Sequence, residues 1–267
     1  MSQIMPTSAG TGGVYVFDTL AAPWIESGTD GVVQKMARQD RESGCSLGLL
    51  SFSPSAGSGL HQLHGVATLL MLSGSLSDYQ DDYPAGTITT NLAGTTHDEI
   101  SWNGCMLVAR TEGPVVYLPK SELAKSDLAY AKQTGGHDLF RNPAPDKPPS
   151  LDRPLRSIHP QMTSIPRLSR RMLFDYLPTD DNRRWVELSL WPEMSIPTHR
   201  VSALTEWMVL AGSAQINNKP VPAMGFVVIE PNTEVTISTP FGCRLLAWAE
   251  GPVAWSDGTA LPDLYGF

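Results

Sequence analysis

The chain repeats itself at a fixed offset of 138 residues. His61 recurs as His199, Gly74-Ser75 as Gly212-Ser213, and Gly104-Cys105 as Gly242-Cys243. Glu112-Gly113-Pro114-Val115 recurs as Glu250-Gly251-Pro252-Val253. Ser51 with Ser189, Pro54 with Pro192, Leu72 with Leu210, Leu107 with Leu245 and Ala109 with Ala247 extend the repeat over residues 45–117 and 183–255. A unit of this length can bury a core of its own, so the duplication predicts two similar domains rather than a stack of short modules.

The strand signals are short and frequent. Residues 46–52 and 184–191 are apolar or alternating runs, and 67–72 and 207–210 are apolar runs closed by Ser-Gly and Ala-Gly turns. Further strands are expected at 86–92, 105–110, 226–229, 234–238 and 244–249, a spacing that suits an antiparallel sandwich or barrel. The 23 Gly and 22 Pro residues supply the turns such a fold needs. One helical stretch is expected between the repeats, at 121–132, with Ser121 as N-cap and Gly135-Gly136 ending it. A Pro-rich stretch at 143–154 reads as an extended, stiff surface linker. The expected domains are therefore 1–118 and 161–267, with 119–160 between them.

Charge narrows the partners. A net charge of -8 and a pI near 5.2, with no basic stripe, argue against nucleic acid. No apolar run reaches membrane-spanning length, and residues 1–13 lack the charged start and apolar middle of a signal peptide, so no membrane association is expected and the cytoplasm is the default. Three cysteines, none in a CxxC spacing, imply neither a disulfide framework nor a zinc knuckle.

Several stretches together carry a resemblance. They are Gly59-Leu60-His61, Leu69-Leu70-Met71-Leu72-Ser73-Gly74-Ser75, Asp78, Pro84-Ala85-Gly86-Thr87, Gly94-Thr95-Thr96-His97 and Asn103-Gly104-Cys105. The first copy resembles a cupin, and more narrowly the ChrR-like cupins. The second copy keeps the frame through Thr198-His199, Glu206-Trp207-Met208-Val209-Leu210-Ala211-Gly212, Ala223-Met224-Gly225, Pro231 and Gly242-Cys243. The resemblance implies an all-β bicupin: two tandem jelly-roll (double-stranded β-helix) barrels that pack as a pseudo-dimer, with association into homo-oligomers left open. The anti-sigma role known for ChrR-like proteins needs an added N-terminal helical zinc domain, for which the early start of the first barrel leaves no room.

The resemblance also implies where a metal would sit. A cupin site has two His two residues apart, a Glu four or five residues later and a last His on a distant strand. The spacing of two sends both imidazoles to one face of a strand. The first copy reads His61, Leu63, Thr68 and His97 at these positions; the second reads His199, Val201, Glu206, and Val235 or Thr236. His64 follows His61 by three residues, so a regular strand sends the two to opposite faces, and only a bulge turns both inward. With that bulge, His61, His64 and His97 form a three-His site for a divalent metal (Fe, Zn or Ni); without it His64 is a surface residue. His199 and Glu206 read as a hydrogen-bonded pair left by a lost second site. Leu63, Thr68, Leu70 and Trp102 are the expected pocket wall.

Two functions follow. One is a non-haem iron dioxygenase cleaving a diketone or aryl ketone, with metal on His61, His64 and His97. The other is a non-catalytic barrel that binds or senses a small organic ligand and retains only degenerate metal sites. The direction of the His64 side chain separates them.

Overall fold

A computed structural model describes residues 3–4, 13–78, 82–118, 151–176, 182–256, 258 and 261–267. The helix expected over 121–132 and most of the linker over 143–154 lie outside these residues. Among the described residues the chain is all β, with one short 3-10 turn at Leu155–Ser157. Each of the nine strands expected from sequence is present. Their cause is visible in the burial pattern. In Glu234–Thr239 the alternate residues Val235, Ile237 and Thr239 are buried while Glu234 and Thr236 face outward, the period of two that a strand imposes.

Two compact units carry these strands. In the first, comprising residues 24–157 with 1–3, one sheet runs in the order Val32–Gln39, Cys45–Phe52, Cys105–Glu112, Ala67–Ser77, Thr87–Asn91 and Leu151–Pro154. A smaller sheet places His61–Leu63 between Thr96–His97 and Val115–Tyr117. In the second unit, residues 4–23 and 158–267, the equivalent strands are Leu168–Phe174, Arg184–Leu190, Cys243–Ala249, Thr205–Ile216 and Phe226–Ile229, with Met194–Val201 between Glu234–Thr239 and Val253–Trp255.

The units do not follow the division at 118 and 161. Val14–Phe17 precedes the first barrel in sequence but pairs with Phe226–Ile229 of the second unit, from Val14 opposite Ile229 to Phe17 opposite Phe226. Leu151–Pro154, read from sequence as linker, pairs with Thr87–Asn91 of the first unit. The two partner strands are themselves equivalent, since Phe226–Ile229 lies 138 residues after 88–91. Each unit thus completes its sheet with a strand that precedes the other repeat. The free edge at the outermost strand explains the arrangement: unpaired N–H and C=O groups there accept whichever extended segment reaches them.

The repeat also reproduces one local irregularity. Pairing slips by a residue between Met106 and Leu107 in the first unit, and between Val209 and Ala211 in the second. Gly74 and Gly212 follow at φ +68 and +77. No helix among the described residues is long and apolar enough to cross a membrane.

Candidate functional site

The two barrel interiors differ. The first encloses a cavity of about 420 Å³, with walls including Val32, Leu50, Phe52, Leu63 and Leu69. His61, His97 and Glu99 line it together with Gln34, Asp40, Arg41 and Asn91. The second barrel is filled by one apolar core that includes Val201, Trp207, Val235, Ile237, Leu264 and Tyr265.

His61 and His97 meet because their strands pair directly, residue opposite residue. Their ring centroids lie 5.5 Å apart. Both are buried, at 7% and 3% exposure. His61 Nδ1 lies 2.8 Å from the Gly59 carbonyl oxygen, which can only accept, so Nδ1 carries the proton and Nε2 keeps its lone pair. Burial lowers the His61 pKa, against the opposing field of Glu99, and holds the ring neutral. Tyr117 pairs opposite His61 on its other side, rings 5.9 Å apart, and its hydroxyl lies 3.3 Å from Thr29 Oγ1. Behind His97, Asp78 Oδ2 stands 3.8 Å and Glu99 Oε1 4.0 Å from Nδ1. The Tyr83 hydroxyl donates to Asp78 Oδ2 at 3.2 Å, and burial together with that carboxylate raises the Tyr83 pKa.

His64 is elsewhere. The strand ends at Leu63, the His64 N–H donates to the Pro114 carbonyl at 3.0 Å, and the side chain is exposed outside the cavity. The bulge that would turn it inward does not form: His61, Gln62 and Leu63 pair in unbroken register with Tyr117, Val116 and Val115. Among the described residues no three His, Cys, Asp or Glu side chains converge as a metal-holding group. A three-His centre is therefore not assembled, and the residues present do not fit the metal that the resemblance implies.

Of the expected wall, Leu63 lines the cavity, while Thr68, Leu70 and Trp102 do not. Leu69, opposite Ala109, points in; Thr68 is opposite the buried Arg110, which pairs with Glu112 on the other face. Trp102 stands 60% exposed in a turn. In the second barrel the same parity holds. Trp207, which is Leu69 advanced by 138, enters the core, whereas Glu206 sits on the opposite face of the strand between Trp248 and Val228. Glu206 and His199 are not brought together. Asp263 is the carboxylate whose field reaches His199.

His199 keeps the setting of His61 in other respects. Its Nδ1 lies 2.9 Å from the Pro197 carbonyl, and Pro197 is 138 after Gly59. It pairs opposite Val235, so Val235 and not Thr236 replaces His97. Trp255 replaces Tyr117, rings 5.4 Å apart. His199 Nε2 is buried with no hydrogen-bond partner among the described residues. Glu99, Tyr117 and Asn91, which also line the cavity, were not singled out from sequence. Glu99 was accessible to the alternation rule from His97, and Tyr117 to its repeat Trp255.

Burial lowers the His199 pKa. The unfolded chain, with the ordinary value of 6.5, therefore takes up a proton before the folded one as pH falls. Stability is full above pH 6.5 and declines below it as the unfolded state is favoured. His199→Gln is expected to flatten that decline. Urea midpoints across the pH range measure it, and equal slopes in both proteins would refute the assignment.

Residues 13–115 match the ChrR cupin-like domain family. Two solved structures share the two-barrel architecture over almost the whole chain. A candidate dioxygenase from Nostoc punctiforme superposes with a TM-score of 0.69 at 10% identity, covering 100% of this chain and 91% of that one. Oxalate decarboxylase from Bacillus subtilis superposes with a TM-score of 0.62 at 12% identity, covering 94% of this chain and 80% of that one. The chain has the two-barrel bicupin fold. The family match spans most of the first barrel, and the second barrel has the same jelly roll around an apolar core. No curated protein matches the bicupin in sequence.

Proposed function

We propose that this bicupin binds a small, uncharged organic ligand in its first barrel, without a preassembled metal centre. One observation carries the reading: a cavity in the first barrel lined by His61, His97 and Glu99, with His64 outside it. Aliphatic walls contribute apolar contact, while the neutral imidazole of His61 accepts and Glu99 accepts further hydrogen bonds. A ligand with hydroxyl groups at one end and an apolar body suits this division. The free thiols of Cys45, Cys105 and Cys243 agree with a reducing, cytoplasmic setting.

The test is a binding screen of β-diketones and hydroxyaryl ketones by calorimetry, with metal analysis of protein purified without chelator. Saturable binding by metal-free protein, weakened about tenfold by His97→Ala through loss of a buried polar contact, supports the proposal. One equivalent of iron, zinc or nickel per chain, lost in His97→Ala, overturns it in favour of the dioxygenase; Glu99 would then be the third donor in place of His64.

A further inference from the structure

Where the first barrel holds its cavity, the second holds residues 261–267 of its own chain. The cavity-lining positions Leu69, Val115 and Tyr117 recur 138 residues later as Trp207, Val253 and Trp255. Gln34 corresponds to Arg170, because Gln34 pairs opposite Leu50, Arg170 opposite Leu188, and Leu188 is Leu50 advanced by 138. All four of these second-barrel residues touch the segment. Trp207 Nε1 donates to the Tyr265 hydroxyl at 3.1 Å, and Trp255 Nε1 to the Leu261 carbonyl at 3.0 Å. The Val253 N–H donates to Asp263 Oδ2 at 2.7 Å, and Arg170 Nη1 to the Asp263 and Leu264 carbonyls at 3.1 and 3.2 Å.

The segment is organised as a ligand would be. Asp263 Oδ1 accepts from the N–H groups of Tyr265, Gly266 and Phe267 at 2.7, 2.9 and 3.2 Å, which folds the peptide around its own carboxylate. Leu264 and Tyr265 then enter the barrel, both at 0% exposure, and the Arg184 guanidinium lies 4.8 Å over the Phe267 ring. No strand is contributed: the last strand of the barrel is Val253–Trp255, and its sheets pair without residues 261–267. Side chains and single N–H groups read this peptide, not a β-ladder.

We propose that the second barrel is a peptide-binding pocket and that residues 261–267 are its resident ligand. The recognised class is a short peptide with an aspartate followed by two bulky apolar residues, the second carrying a phenol. The carboxylate is held by Val253, the backbone by Arg170 and Trp255, and the phenol by Trp207.

The test uses the full chain ending at residue 260 and a fluorescein-labelled peptide of sequence Leu-Pro-Asp-Leu-Tyr-Gly-Phe. The expected results are one-to-one saturable binding to the shortened chain and none to the intact one. A peptide with Ala in place of Asp should bind about tenfold or more weakly, as loss of hydrogen bonds to a charged group implies. A shortened chain with an unchanged circular dichroism spectrum that does not bind, or an intact chain that binds equally, overturns the proposal. If the shortened chain does not fold, a protease site placed between residues 256 and 261 gives a second reading. After cleavage the labelled peptide is expected to exchange with the cut segment. A cut segment that resists excess labelled peptide, or a barrel that unfolds as the segment leaves, marks it as core rather than ligand and overturns the proposal.

Discussion

The Gly74→Ala variant is expected to lose about 3 kcal/mol or more of folding stability, a strained backbone and a core clash combined. Gly74 sits at φ +68, where an L side chain meets its own carbonyl, and this alone costs about 1 kcal/mol. The larger cost is packing. A Cβ at Gly74 would stand 2.0 Å from the Gly104 carbonyl oxygen and 2.9 Å from Cys105 Cα, both backbone atoms of the paired strand region. Neither can swing away as a side-chain end would, so the Ala67–Ser77 and Cys105–Glu112 strands must part beside the bulge. Gly86→Ala is the control. Gly86 has φ +83, but nothing lies within 4 Å of its added Cβ, so only the conformational cost remains. Urea midpoints of the two variants separate the terms of the argument: equal losses would show that the close approach carries no weight. Gly212 has φ +77, and a Cβ added there would stand 2.1 Å from the Gly242 carbonyl oxygen, so Gly212→Ala should repeat the loss in the second barrel.

Leu69→Trp is expected to weaken ligand uptake by the first barrel about thirtyfold or more while leaving its fold in place. The substitution copies a difference that already separates the two barrels. Leu69 lines the cavity, and its repeat Trp207 is fully buried in the filled core. An indole at position 69 would project from the same strand, opposite Ala109, into a space of about 420 Å³. Overfilling by that many atoms costs a bound ligand about 2 kcal/mol or more, a weakening of roughly thirtyfold. The fold is expected to persist because the second barrel tolerates the same side chain on the same scaffold. Calorimetry with any ligand found in the screen reads the affinity, and circular dichroism reads the fold. Undiminished binding would place the ligand outside the cavity and remove the basis for the proposed function.

The repeat by itself determined the architecture. An offset that preserves His, Gly-Ser, Gly-Cys and Glu-Gly-Pro-Val positions demands two copies of one barrel, and the alternating runs between them are the strands. The resemblance to cupins implied that His61 and His97 share an interior, and the two pair residue opposite residue. Three matters were decided only in three dimensions. Thr68 and Leu70 were expected to face the pocket, but inward parity belongs to Leu69, and a slip of one residue reverses every side chain of a strand. The register with Ala109, a residue 40 positions away, sets it. His64 turns outward because its strand stops at Leu63, where the backbone bonds to Pro114 instead of bulging. The contents of the two barrels were the third. Nothing in the spacing of residues 261–267 announces that they enter a barrel, nor that Val14–Phe17 and Leu151–Pro154 each complete the sheet of the unit that follows or precedes them. Local sequence carries the period of a strand. Which edge a strand joins and what fills a closed sheet depend on contacts between residues far apart in the chain, which exist only once it has folded.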